Sequence, residues 1–196
     1  MEKLKIIVFS FTLLSFVSCA AQNSQKFYKA VVENDENTPK EHFPELGVHY
    51  HKNEFKSADK KIFDLLKEQL KEVNHIYYGY LPQELGVDPT LILRAFVYDV
   101  DNDRFYFLEQ QLDDDPEAFQ LVNELIEYDY YRANFIIKNL KNNDCKSIQD
   151  AAKANFNISG QVVYDINLKE NTIKRCSFNY LYLFKEYIKS IKKSND

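Results

Sequence analysis

Two runs of strand-forming residues, each broken once by a short polar loop, constrain this chain more than any other feature. Leu91 to Val100 is apolar and rich in β-branched and aromatic residues; Asp101-Asn102-Asp103 interrupts it, and Arg104-Phe105-Tyr106-Phe107-Leu108 resumes it. Further on, Val162, Tyr164, Ile166 and Leu168 alternate onto one face of the run from Gln161 to Leu168. A loop at Lys169-Glu170-Asn171 then leads into Thr172 to Tyr180. Paired runs around so short a loop predict two antiparallel β-hairpins.

Helical periodicity supplies the elements to cover them. Ser57 reads as the N-cap of a helix to about Tyr77, with Ile62, Phe63, Leu66, Leu70 and Val73 on one face and lysines and acids on the other. Gly79 and Pro82 end it. Asp113-Asp114-Asp115-Pro116 predicts a second helix start, continued by Phe119, Val122 and Leu125 through Ile137 and Leu140, as one long helix or two with a break near Tyr128. Ser147-Ile148-Gln149-Asp150 matches a capping box, and Leu181 to Lys192 reads as a final helix. The order predicts an α+β fold: two antiparallel β-hairpin–helix units packed with an N-terminal amphipathic helix. Val97-Tyr98-Asp99-Val100 and Val163-Tyr164-Asp165-Ile166, offset by 66 positions, are compatible with a degenerate repeat.

Ahead of these elements, Lys3 and Lys5 precede twelve uncharged residues, Ile6 to Val17. That suits the core of an export signal and falls short of the roughly 20 residues that span a bilayer as a helix. The core ends in Phe16-Val17-Ser18-Cys19, which resembles the lipobox of bacterial lipoproteins. The resemblance implies diacylglycerol on the Cys19 thiol and cleavage before it. It also implies a protein held at the cell envelope by acyl chains, at the periplasmic face or the cell surface. Ordinary cleavage after Ala21, with secretion, and an uncleaved anchor are the competing readings. On the lipoprotein reading, residues 1–18 are the signal peptide. Residues 19–41, polar and ending near Pro39, read as the lipidated Cys and a flexible tether in which Phe27, Tyr28, Val31 and Val32 could dock locally. Residues 42–196 form the single α+β domain.

Removing 18 of the 196 residues leaves 178, enough for one sizeable core. The net charge is −5, and becomes −6 without Glu2, Lys3 and Lys5. A mildly acidic chain with no basic cluster argues against nucleic acid as a partner, and against electrostatic docking to anionic lipid. With Cys19 committed to lipid, Cys145 and Cys176 remain, either as a disulfide suited to an oxidising compartment or as two buried thiols.

Four groups of residues invite a chemical reading. His49-Tyr50-His51 would place two imidazoles on one face of an extended segment, where they could share a metal with Glu45 or Glu54; exposed strand histidines explain them better. Asp99, Asp101 and Asp103 open like a calcium loop, but Arg104 stands where that loop needs Gly and Gln110 where it needs Glu, so an acidic hairpin turn fits better. Tyr77, Tyr78 and Tyr80, with Tyr128, Tyr130 and Tyr131, form two aromatic clusters suited to holding a peptide or glycan, or to packing a core. Finally, with glycines only at 47, 79, 86 and 160, no nucleophile elbow, phosphate loop or dinucleotide fingerprint can be written, so no cofactor is expected.

The second hairpin carries one further likeness. Gly160-Gln161-Val162-Val163-Tyr164-Asp165-Ile166 is similar to the Gly-x-Val strand in the C-terminal domain of TonB-type energy transducers. That resemblance covers roughly a third of the chain and implies a hairpin–helix arrangement, with no function carried over. The sequence therefore leads to a lipid-anchored envelope protein that binds an envelope protein or glycan without catalysis, an immunity-type role against a toxin being one form. An envelope hydrolase using metal at His49 and His51 is the rival.

Overall fold

The computed structural model describes residues 22–38, 52–81, 94–110, 118–122, 127–151 and 161–178. Among the described residues, four helices, α1 (Gln22–Asn37), α2 (Lys52–Leu65), α3 (Glu127–Lys141) and α4 (Cys145–Ala151), cover a six-stranded sheet. Its strands are β1 (His75–Leu81), β2 (Arg94–Asp99), β3 (Arg104–Gln110), β4 (Phe119–Leu121), β5 (Gln161–Asn167) and β6 (Thr172–Phe178), in the spatial order β4-β3-β2-β1-β5-β6. Every pairing is antiparallel, and the α+β class follows directly.

The two expected hairpins, β2–β3 and β5–β6, are present, and β1 joins them. Both β2 and β5 pair with it, Tyr78 standing opposite Val97 on one side and Tyr164 on the other. β1 lies where the sequence predicts the end of a helix. The regular helix stops at Leu65; Leu66, Leu70 and Val73 stay buried in the turns that follow, where the Leu66 and Leu70 N–H groups still donate to the Ile62 and Leu66 carbonyls, so the helical spacing runs on almost to β1. His-Ile-Tyr-Tyr-Gly-Tyr-Leu is rich in strand formers, and a central strand covered on both faces loses the polar alternation that would have marked it.

Successive β1 side chains feed two cores. Ile76, Tyr78 and Tyr80 meet Val97, Tyr106, Leu108, Val162, Tyr164 and Ile166 beneath α1 and α2, which contribute Phe27, Val31, Ala58, Ile62 and Phe63. On the opposite face Tyr77 and Leu81 meet Phe96, Tyr98, Phe107 and Val163 beneath Ala133, Ile136, Ile137 and Leu140 of α3 and Ile148 of α4. Gly79 sits between Phe96 and Val163 in this layer; a Cβ there would lie 2.7 Å from Val163 Cγ2 and 3.0 Å from the Val162 carbonyl oxygen. A side chain at 79 would separate β1 from β5.

Three expectations are corrected. Residues 22–37 are not a spacer but α1, in which Phe27 and Val31, two of the residues expected to dock, are fully buried one helical turn apart; so few apolar positions give the segment no sustained helical period. Phe119–Leu121 is an edge strand on β3, not the first turns of α3, because its side chains pair across Leu108 to Gln110. α4 starts at Cys145, with Asp144 as its cap: Asp144 Oδ1 accepts from the Ser147 N–H at 2.9 Å and Oδ2 from the Ser147 hydroxyl, so Ser147 lies inside the helix. Just before it, Asn143 (φ 55°) closes α3, with Asp144 N–H donating to the Asn139 carbonyl at 2.9 Å. The segment expected as a final helix, residues 181–192, lies outside the described residues.

The repeat also changes meaning. Asp99 and Asn167 open the two hairpin turns, their Oδ1 atoms accepting from the N–H groups of Asn102 and Glu170 at 3.1 Å, and Asp103 and Asn171 close them at φ 51°. Those positions differ by 68 (167 − 99), whereas the similar tetrapeptides differ by 66. The turns are equivalent; the tetrapeptides are two residues out of step with them, and Tyr98 and Tyr164 point to opposite faces of the sheet.

Candidate functional site

Three polar clusters interrupt the apolar layers. The deepest lies under α2, where Asp59 Oδ1 accepts hydrogen bonds from the Tyr78 hydroxyl at 2.5 Å and the Tyr80 hydroxyl at 2.7 Å. Burial raises the Asp59 carboxyl to about 6; the two phenol bonds pull it down again, and the nearby Asp35 charge adds to the rise. The same burial, with Asp59 beside it, holds Tyr78 well above the usual phenol range. On α1, Asp35 accepts from the Tyr164 hydroxyl at 2.5 Å and lies 3.5 Å from the Arg175 guanidinium, which itself lies over the Tyr164 ring. Two helices are thereby tied to the sheet by carboxylate–phenol bonds inside an otherwise apolar contact.

The second cluster follows one cross-strand row on the opposite face, Phe105–Tyr98–Tyr77–Asp165–Lys174. His75 Nε2 lies 2.7 Å from Asp165 Oδ1, the Tyr98 hydroxyl donates to Asp103 Oδ1 at 2.5 Å, and Lys141 Nζ stands 5.0 Å from the Tyr98 ring centre. Burial pushes Tyr77 up to about 12, helped by the Asp165 charge, and pushes Tyr98 up to about 12, helped by its bond to Asp103. A histidine oriented by a carboxylate is a general-base arrangement in outline. Here it links β1 to β5 at the margin of the core.

In the third cluster Arg94 bridges Glu109 (Nε to Oε2, 2.7 Å) and Asp129 (Nη1 to Oδ2, 3.3 Å), with the buried Arg132 3.7 Å from Asp129. Burial raises the Asp129 carboxyl against the pull of both arginines. The ion pairs border a small cleft lined also by Leu81, Phe107 and Val122. With Arg132 counted, the cluster as a whole holds two arginines against two acids.

The sequence-predicted residues are distributed unevenly over this frame. Tyr77, Tyr78 and Tyr80 are core residues, which removes them as a ligand-stacking surface: as neighbours in a central strand they alternate into the two layers. Tyr130 and Tyr131, on α3, are 41% and 39% exposed and touch edge to face, with Tyr130 in turn 5.3 Å from Phe105. Cys19, His49, His51 and the Tyr128 side chain lie outside the described residues. Asp99 binds Asn102, Asp101 accepts from the Asn74 N–H at 2.7 Å, and Asp103 binds Tyr98, so the three turn carboxylates diverge onto protein donors. Among the described residues no three His, Cys, Asp or Glu side chains converge as a metal set, and no helix is long and apolar enough to cross a membrane. Cys145 and Cys176 are at disulfide distance, 2.09 Å between sulfurs and 5.6 Å between Cα atoms, joining the start of α4 to β6.

Nothing local in the sequence marks Asp59, Asp35 or the Asp165–His75 pair. Each is an ordinary acid or histidine in its local context, and only strand register brings its partner within reach. No family model matches the chain, and neither a curated protein nor a solved structure matches it.

Proposed function

We propose that this chain is a lipid-anchored protein of the cell envelope that binds an envelope protein or glycan without catalysing a reaction. The observation that carries the location is the Cys145–Cys176 pair, whose sulfurs lie at bonding distance. Such a pair persists in an oxidising compartment, and the lipobox-like Phe16-Val17-Ser18-Cys19 supplies an address in the same direction. Binding is favoured over hydrolysis by how the acid–base groups are used. Asp59 is sealed beneath α2 with both phenols on one oxygen, and His75 bridges two strands. The exposed Tyr130 and Tyr131, braced by Phe105, form the surface best suited to contact, since tyrosines add large area at low conformational cost. An immunity-type role, neutralising an incoming toxin, is one form such binding would take.

Two measurements test the reading. Cells fed an alkyne fatty acid should label the wild-type protein and not Cys19→Ala, and only the wild type should sediment with membranes; an unlabelled wild type removes the anchor. Photocrosslinking in intact cells from position 131, compared with position 67, should give a discrete adduct at 131 alone. Identical patterns at both positions would remove the tyrosine surface.

A further inference from the structure

The helix that replaces the expected tether also fixes how a lipidated chain would sit. α1 begins at Gln22, three residues beyond Cys19, and it is part of the folded body. Asn23 Nδ2 donates to the Val73 carbonyl at 3.0 Å, the Ser24 hydroxyl donates to the Phe63 carbonyl, and Phe27 and Val31 are fully buried. Next to Val73, Asn74 receives both hairpin turns. Its N–H donates to Asp101 Oδ2 at 2.7 Å and its carbonyl accepts from the Leu168 N–H at 2.7 Å. The N-terminus of α1, the connection at 66–74 and the β2–β3 and β5–β6 turns are therefore one end of the molecule.

Even fully extended, three chain steps reach no more than about 11 Å. The sheet is longer than that: the Arg94–Glu109–Gln120 row lies five residues from the Asp99–Arg104 row, about 17 Å further along the strands. We infer that the turn end of the sheet rests on the bilayer surface, held there by the short link from Cys19 to α1, and that the Arg94–Glu109 end points away from it. The inference rests on the lipid-anchor reading and adds to it an orientation and a lipid preference.

That preference follows from charge. On the connection and both turns, the exposed Lys67, Lys71, Arg104 and Lys169 stand among the exposed Glu68, Glu72, Asp101, Asp103 and Glu170, so this end carries no basic excess. A surface with no unmatched basic residues gains nothing from an anionic leaflet. The lipid partner it fits is a zwitterionic headgroup layer, with adhesion coming from the acyl chains.

Because the chain contains no tryptophan, one introduced indole is an unambiguous depth reporter. Full-length lipidated Glu68→Trp, Lys169→Trp and Gln120→Trp proteins would be reconstituted in phosphatidylcholine vesicles carrying a headgroup-level spin-labelled lipid. Quenching at 68 and 169 should exceed that at 120 by at least about threefold, given the separation along the strands. The profile should persist when anionic phosphatidylglycerol is added. Equal quenching at all three positions, or stronger quenching at 120, would overturn the orientation. A profile that develops only with phosphatidylglycerol would overturn the lipid preference. Mass spectrometry of Cys19 separates the levels: a protein without acyl chains removes the anchor and the orientation together, whereas an acylated protein with a flat profile removes the orientation alone.

Discussion

Asp59 on α2 and Tyr78 at the centre of β1 share a 2.5 Å hydrogen bond at the bottom of an apolar layer, with both side chains buried. A carboxylate in such a place is tolerated because two phenols donate to it, yet burial still outweighs those bonds and keeps its proton affinity high.

Stability should therefore depend on pH through this residue. The folded carboxyl titrates at about 6 against 3.8 for the ordinary group, so the folded state holds the proton more tightly than the unfolded one. The stabilisation from Asp59 is fully present below about pH 4 and is lost as pH rises through about 6, amounting to roughly 2–3 kcal/mol. Urea unfolding across that window should show Asp59→Asn losing less stability with rising pH than the wild type. Parallel curves would contradict the assignment.

Phe27→Ala distinguishes an integral α1 from a tether. Truncating a fully buried aromatic ring in the α1–α2 layer should cost about 3–5 kcal/mol and lower Tm markedly. The same substitution in a spacer would leave thermal unfolding unchanged.

Gly79→Ala should destabilise by about 1–3 kcal/mol. The new methyl meets Val163 Cγ2 at 2.7 Å and the Val162 carbonyl oxygen at 3.0 Å, and backbone cannot yield as a side-chain tip does. Combining it with Val163→Ala should recover only part of the loss; full recovery would mean that the backbone contact is unimportant.

Reducing the Cys145–Cys176 pair, which has a sequence separation of 31, should cost about 3–4 kcal/mol through the loop entropy restored to the unfolded chain. Thiol counting on the denatured, unreduced protein should find neither residue reactive. Two reactive thiols would replace the bond with a pair of packed cysteines.

Local chemistry made much of the fold legible. The hairpins at β2–β3 and β5–β6 follow from strand formers around turns that Asp99 and Asn167 can open and Asp103 and Asn171 can close, all short-range requirements. α3 follows from Ala133, Ile137 and Leu140 at helical spacing. β1 was not legible, since burial on both faces gives a strand the continuous apolar character that a helix segment also has. α1 was missed for the opposite reason: Phe27 and Val31 do all the deep packing for a helix of 16 residues.

The amino-acid sequence alone is enough for the pair of hairpins, the helical spacing of Ala133, Ile137 and Leu140, the α+β class and the isolation of Cys145 and Cys176 as the two cysteines beyond Cys19. Each depends on residues near one another in the chain. It takes the three-dimensional fold to place β1 between the hairpins, to make Tyr77, Tyr78 and Tyr80 core while Tyr130 and Tyr131 meet solvent, and to let Asp59 and Asp35 clasp two helices onto the sheet. Those outcomes depend on strand register and on which faces become covered, and the free energy that sets them comes from contacts between residues up to 129 positions apart.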